Sequence, residues 1–359
     1  MFYLALLLSF IALGIFRGRS KIVLFGLMAV LLFISVNFHE GFDISNYERT
    51  YEGMGADYND PEERSVLFSA IIFLFKLVGL SFYHFRIFCF LLWGTAVILM
   101  ATRFSKYPTF VIACCAMFPV LTFASQLRNG VAAAFVFFAL YALLSRRDKL
   151  GVFLYAVLIV IAGLVHYAAF IYLFGLLAYM RIPVSTLRTS VLMVLFVTLS
   201  IGASGILQGI VAAYVGPYYA DKYLAGIEGF SPEHHIPLII GIILSCLFSE
   251  WSYRVCRRHA SRLGREKVFF ARFVFRFSLV FLAAIPLMFL TINFYRIFQN
   301  VFLLPIISVA NASSVYFVKG KKYQGTVFRL VFVAFYFFVT AYYSMWQGEF
   351  LSFYNSISF

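Results

Sequence analysis

The sequence predicts an all-α polytopic membrane protein of about twelve transmembrane helices, with one further helix lying at the outer face. Three observations carry that prediction. Of 359 residues, 63% are hydrophobic and only 12% are charged, whereas a soluble domain carries roughly 25% charged residues. The apolar residues are gathered into runs, most near the 17–25 residues that carry a helix across about 30 Å of hydrocarbon. The charges between the runs sort by sign. So little charge cannot cover a fold in water, which excludes soluble enzymes, secreted modules and disordered regulators. The net charge of +14 then marks basic cytoplasmic loops, and no nucleic-acid partner is expected.

The first run, 2–16, lacks a basic leader and an Ala-x-Ala cleavage site, and Arg17, Arg19 and Lys21 follow it directly. It reads as a first span, not a removed signal peptide. The second span is 22–38. Residues 39–85 form the first periplasmic loop, which contains an apolar stretch, 65–80, interrupted by Lys76. If that stretch crossed the membrane, the loops at Arg103/Lys106 and Arg146/Arg147/Lys149 would lie opposite Arg17, Arg19 and Lys21. Placed at the outer face as a juxtamembrane helix, it leaves every basic loop on one side. The later spans are 86–102, 108–124, 129–145, 150–165, 168–180, 190–212, 236–253, 273–292, 297–318 and 325–345, with both termini outside. The apolar stretch 150–180 is divided at His166.

With this topology 22 of the 29 Lys and Arg residues are cytoplasmic, Arg276 and Arg329 at span starts included. The basic run Arg254 to Arg272 reads as an anchor to anionic membrane lipid. Carboxylates sort the other way: eight of the 15 lie between Glu40 and Glu63, and Asp221, Glu228 and Glu233 lie in or beside the second periplasmic loop, 213–235. The chain reads as a single integral membrane domain, 1–359, without repeats. Its five cysteines sit in apolar runs or beside a basic loop, so no structural disulfide is expected.

An ionisable residue inside apolar sequence is costly in a membrane, and each one is a candidate for function. Ser125-Gln126-Leu127-Arg128-Asn129 separates two apolar runs. Arg128 is either a turn residue snorkelling to lipid phosphate or the donor fork of a recessed anion site. His166, in Val165-His166-Tyr167, is either a packing residue or a polar group on the same outer face. Arg296, in Asn293-Phe294-Tyr295-Arg296, again interrupts apolar sequence on that side. In the first loop Asp43, Tyr47 and Tyr51 are spaced four apart, on one face of a helix. A carboxylate beside tyrosines suits carbohydrate, although interfacial tyrosines are common at any membrane boundary. Glu233-His234-His235 is not expected to hold a metal, because adjacent residues rarely converge on one ion. No Walker-type or HExxH pattern occurs.

Gly41-x-Asp43-x-x-x-Tyr47-x-x-x-Tyr51, followed by Gln126-x-Arg128, His166-Tyr167 and Arg296, resembles the EpsG-like family of Wzy-type polysaccharide polymerases, over about residues 35 to 310. The chain departs from the family pattern at Ala168, where Ser is frequent. The resemblance implies a glycosyltransferase of the bacterial inner membrane with its active face periplasmic and a GT-C-like helical architecture. It implies donor and acceptor oligosaccharides carried on polyprenyl diphosphate, with neither nucleotide sugar nor metal and no cofactor. A chain-length regulator protein is a further expected partner. On this reading Arg128 and Arg296 hold the leaving diphosphate and Gln126 orients it. His166 or Asp43 acts as general base, while Tyr47 and Tyr51, with Tyr295, bind substrate. A flippase or transporter of lipid-linked glycan would instead place charges through the whole membrane depth. An O-antigen ligase would share the chemistry and would more typically carry a larger external loop.

Overall fold

Hydrocarbon offers no partner to a peptide group, so a chain of this composition must satisfy its backbone within itself. Helices are the result. The computed structural model describes residues 2–37, 42–53, 65–117, 123, 125–180, 182–203, 232–289, 294–318 and 322–346, and among them all regular structure is helical. The elements are α1 (Phe2–Phe16), α2 (Lys21–Asn37), α3 (Phe42–Gly53), α4 (Val66–Leu77), α5 (Phe82–Phe104), α6 (Pro108–Met117), α7 (Leu127–Arg146) and α8 (Lys149–Val165). A 3-10 helix (Tyr167–Phe174) leads into α9 (Gly175–Tyr179), α10 (Val184–Ala203), α11 (Pro232–Arg258), α12 (Ala260–Leu263) and α13 (Arg265–Leu282). A second 3-10 helix (Ile285–Phe289) precedes α14 (Tyr295–Gln299), α15 (Leu303–Val318) and α16 (Lys322–Trp346).

Among the described residues, four stretches are long and apolar enough to cross a membrane: Phe82–Phe104, Leu127–Arg146, His235–Arg258 and Tyr295–Tyr316. Large apolar side chains such as Phe25, Phe153, Leu192 and Phe338 face outward, a surface suited to lipid tails and not to water. The five cysteines are buried free thiols. The chain divides into two compact units, residues 1–173 with 310–359, and residues 174–309.

In the first unit the helix ends establish two opposite poles. Arg147 closes α7 in the left-handed region, at φ 59°, and the Asp148 carboxylate accepts from the Gly151 N–H at 2.7 Å to start α8. This turn makes α7 and α8 an antiparallel hairpin of 20 and 17 residues, about 30 and 25 Å long. Helix α5 runs alongside α7 in the same direction. Phe104, at its end, lies 6.1 Å from Tyr141 late in α7, whereas Arg86, near its start, shares a cavity with Leu127 and Gly130. Helix α2 ends where α5 begins, because the Arg86 guanidinium donates to the Ser35 carbonyl. The connecting segment therefore leaves and returns at one pole. Within it α4 has 12 residues, about 18 Å of helix.

The other pole is tied by polar contacts. Thr109 Oγ1 donates to the Ser20 carbonyl at 2.9 Å, and Arg19 Nε donates to the Lys106 carbonyl at 3.3 Å. Asn311, fully buried, accepts from the Lys106 N–H at 3.0 Å and donates to the Phe104 carbonyl at 2.7 Å. Gly14 lets α1 lie close against α6, since a Cβ there would stand 2.7 Å from that of Ala113. Arg329, assigned from the sequence to a cytoplasmic span start, is an internal clamp. Its guanidinium lies 3.8 Å from the Tyr107 ring centre and 5.0 Å from that of Phe110, and Nε donates to Ser313 Oγ at 2.9 Å. A cation over desolvated aromatic faces is stabilised there.

In the second unit α11 and α13 form a hairpin through α12. Much of the basic run 254–272 is helical: α11 continues to Arg258, where its last-turn arginines complement the helix dipole, and α13 starts at Arg265. Gly264, at φ 82°, makes the break. Glu250 accepts from Arg254 at 2.7 Å and from Arg188. Arg276 is buried and donates to the carbonyls of Leu177 and Met180, satisfying the end of α9.

Residues 168–180 differ from the regular span expected of them. Eight residues form a tight 3-10 helix and only five follow as α9. The Tyr155 hydroxyl, on α8, donates to the Tyr172 carbonyl. Phe170 packs so closely on Gly163 that a Cβ there would meet its ring at 2.5 Å. These contacts hold the segment back against α8.

Replacing Asn311 by Leu removes its bonds to the Lys106 N–H and the Phe104 carbonyl, at about 1 kcal/mol for each hydrogen bond lost. A clear drop in the thermal unfolding midpoint of detergent-purified protein is expected, and an unchanged midpoint would show that these bonds carry no weight.

Candidate functional site

The first unit gathers Asp43, Tyr47, Tyr51, Gln126, Arg128 and His166 at one pole. Helix α3 presents its residues four apart, as their spacing predicts, but unequally. Tyr51 is buried: its hydroxyl donates to the Leu80 carbonyl at 2.7 Å, and its ring lies 5.6 Å from those of Phe82 and Phe85. It anchors α3 to α5 and offers no free face to a sugar. Asp43 and Tyr47 are half-buried, and the Tyr47 ring meets Phe68 of α4 edge-on at 5.7 Å.

Arg128 lies in the first turn of α7 and is half-buried, with Nη1 donating to Ser65 Oγ at 3.4 Å. Ser65 precedes α4 as its N-cap residue, so the arginine ties the hairpin to α4. Gln126 is buried, and its side-chain oxygen accepts from Asn129 Nδ2 at 3.3 Å. Its amide supports the start of α7 beside Arg128.

His166 stands one residue beyond α8. Its N–H donates to the Ala162 carbonyl and its own carbonyl accepts from the Ala169 N–H, both at 2.8 Å. The ring is half-buried, beside the exposed Tyr167. Because α7 and α8 are antiparallel, the start of one and the end of the other lie together, which puts Arg128 and His166 at the same pole. Helix α4 packs on α8, and its Phe68 ring also meets Phe85 at 5.6 Å. Tyr47 and Arg128 thus meet α4 and its cap, and His166 lies at the same end of the α7–α8 hairpin as Arg128, at the pole opposite the basic turns at 17–21, 103–106 and 146–149.

Tyr295 and Arg296 belong to the second unit. Tyr295 is fully buried, its ring 5.9 Å from Phe302, while Arg296 is half-buried. In the same unit His235 is buried with Nε2 3.0 Å from the Met288 carbonyl, so this nitrogen joins α11 to the 3-10 helix after α13. The tyrosines of the second loop, Tyr214 to Tyr223, lie outside the described residues.

One residue of the first site escapes the sequence argument. Arg86, in His84-Phe85-Arg86-Ile87-Phe88, is 2% exposed and caps α2 through the Ser35 carbonyl. The rule that singles out Arg128, an ionisable group at the edge of an apolar run, applies to it equally.

A family model for the EpsG family matches residues 21–356. The chain belongs to the EpsG family. This is a family of Wzy-type polysaccharide polymerases, integral membrane proteins that assemble glycan. No curated protein and no solved structure matches the chain.

The pole assignment predicts thiol accessibility. The native cysteines are buried, so cysteines placed at Glu48 and Tyr167 should react with a membrane-impermeant maleimide from one face of sealed vesicles. Cysteines at Arg103 and Asp148 should react only from the other face. Labelling of Tyr167→Cys together with Asp148→Cys from one face would break the assignment.

Proposed function

We propose that this EpsG-family chain is a polysaccharide polymerase that joins repeat units carried on polyprenyl diphosphate, at the periplasmic face of the bacterial inner membrane. The observation that supports this reading is that Asp43, Tyr47, Arg128 and His166 lie at one pole of the first unit, away from the basic turns, with Tyr47 and Arg128 meeting α4 and its cap. A substrate whose sugar lies in water and whose diphosphate lies at the lipid boundary needs such a pole. Positive-inside sorting of the basic turns supports a periplasmic address for it. We read the whole chain as one membrane domain of about twelve spans with a GT-C-like architecture.

In the proposed reaction a hydroxyl oxygen of one repeat unit attacks the anomeric carbon of another. The bond between that carbon and the diphosphate oxygen breaks, and the lipid diphosphate leaves with the electron pair. Arg128 donates to the phosphate oxygens as their charge grows, with a planar fork that matches them. His166 takes the proton from the attacking hydroxyl, since imidazole has suitable basicity near neutral pH. Asp43 accepts from sugar hydroxyls beside Tyr47. Tyr51 and Gln126 hold α3 and the start of α7 in place. Arg296, with Tyr295, is a second position proposed for substrate binding. Charge stabilisation falls to arginine, so the proposed step uses no metal, and the remaining partner is a chain-length regulator.

In a strain lacking the native copy, Arg128→Lys keeps the charge and loses the fork. It should shorten or abolish polymer by about 10²-fold in rate, the scale of losing one aligned donor, with single repeat units accumulating. His166→Ala should do likewise. Normal polymer from both variants, at normal protein levels, would remove these residues from the reaction. Full translocation loss without a change in linkage chemistry would indicate a transporter.

A further inference from the structure

Behind the turn that carries Arg128, the first unit holds a second polar feature. A partly enclosed cavity of about 10 Å³ is lined by Ser35, Arg86, Trp93, Phe123, Leu127 and Gly130, among others. That is room for one water-sized group. Three polar side chains from α2 and α5 border it. Arg86 and Trp93 are each 2% exposed, and Ser35 is 4% exposed. Among the described residues, Trp93 Nε1 and Ser35 Oγ have no hydrogen-bond partner.

The bonding chemistry of these groups selects the occupant. The indole N–H and the guanidinium donate and cannot accept, and the Ser35 hydroxyl can donate as well. A water in the cavity could accept from the first two and donate one hydrogen to Ser35 Oγ, but its second hydrogen would face apolar walls. An oxyanion oxygen accepts from all three donors and meets a positive charge, in surroundings where charge-assisted bonds are strong. The Glu48 carboxylate also acts on Arg86, but it is exposed and water screens it.

We propose that the cavity bordered by Ser35, Arg86 and Trp93 is an oxyanion site that takes one phosphoryl oxygen of a membrane-borne phosphate or diphosphate. The rest of the ligand lies outside the cavity. The site does not depend on the polymerase reading, because binding alone reveals it.

Trp93 supplies the probe, being one of three tryptophans. Protein labelled with 15N-tryptophan is placed in zwitterionic nanodiscs, and its Trp93 indole N–H resonance is assigned through Trp93→Phe. Three conditions are compared: inorganic pyrophosphate, a short-chain prenyl diphosphate, and nanodiscs containing phosphatidylglycerol. A saturable downfield shift of the Trp93 resonance in at least one is expected, and which one responds tells free phosphate, isoprenoid carrier and lipid headgroup apart. Arg86→Gln should weaken that response about tenfold or more, the loss of a charge-assisted bond, while the Trp251 and Trp346 resonances stay in place. If Arg86→Gln does not fold, Trp93→Phe keeps the cation and should still weaken binding of radiolabelled ligand several-fold. A Trp93 resonance unmoved in all three conditions, or ligand binding unaffected by the variant that folds, overturns the proposal and leaves an internal water as the occupant.

Discussion

Hydrocarbon neither donates nor accepts hydrogen bonds, and nearly every polar feature of this protein follows from that. The backbone closes on itself as helices, and buried charged side chains answer the backbone groups that helices leave open at their ends. Arg86 serves the last turn of α2, and Arg276 serves the end of α9. Arg329 lies against the rings of Tyr107 and Phe110 and donates to Ser313 Oγ. Each of the three side chains is buried, and each is held by a specific contact.

The Arg86 bond also shapes the candidate site. By bringing the end of α2 to the start of α5, it makes the segment carrying α3 and α4 begin and end at one pole. The αL turn at Arg147 and the cap at Asp148 do the same for the α7–α8 hairpin, returning His166 to the level of Arg128. Residues more than 100 positions apart in sequence therefore share one pole. Antiparallel folding brings the acid, tyrosine, arginine and histidine of separate elements to that pole.

The class of fold was legible because composition and loop charge report directly on solvent. The helices α2, α5, α7 and α11 lie close to their expected runs for that reason. The 3-10 segment after His166 was not legible, since hydropathy sees only apolar residues there and not the Tyr155 hydroxyl or the Gly163–Phe170 contact that tighten it. The basic run after α11 reads as loop because charge suggests exposure, yet a helix leaving the membrane keeps its pattern while its side chains become charged. In α3 the spacing puts Asp43, Tyr47 and Tyr51 on one helix face but could not separate the buried Tyr51 from the half-buried Tyr47. Burial depends on Phe82 and Phe85, which lie some thirty residues later. Arg86 was hidden by its position at the edge of a span, where a basic residue usually snorkels.

The central claim is that the chain itself makes glycosidic bonds between lipid-linked repeat units. Its most direct test is the purified protein in liposomes, supplied with one chemically defined polyprenyl-diphosphate-linked repeat unit. A polymerase yields a ladder of products spaced by one repeat unit, with one lipid diphosphate released for each linkage formed. Repeat units that cross the bilayer, or stay in place, without any new linkage would contradict it.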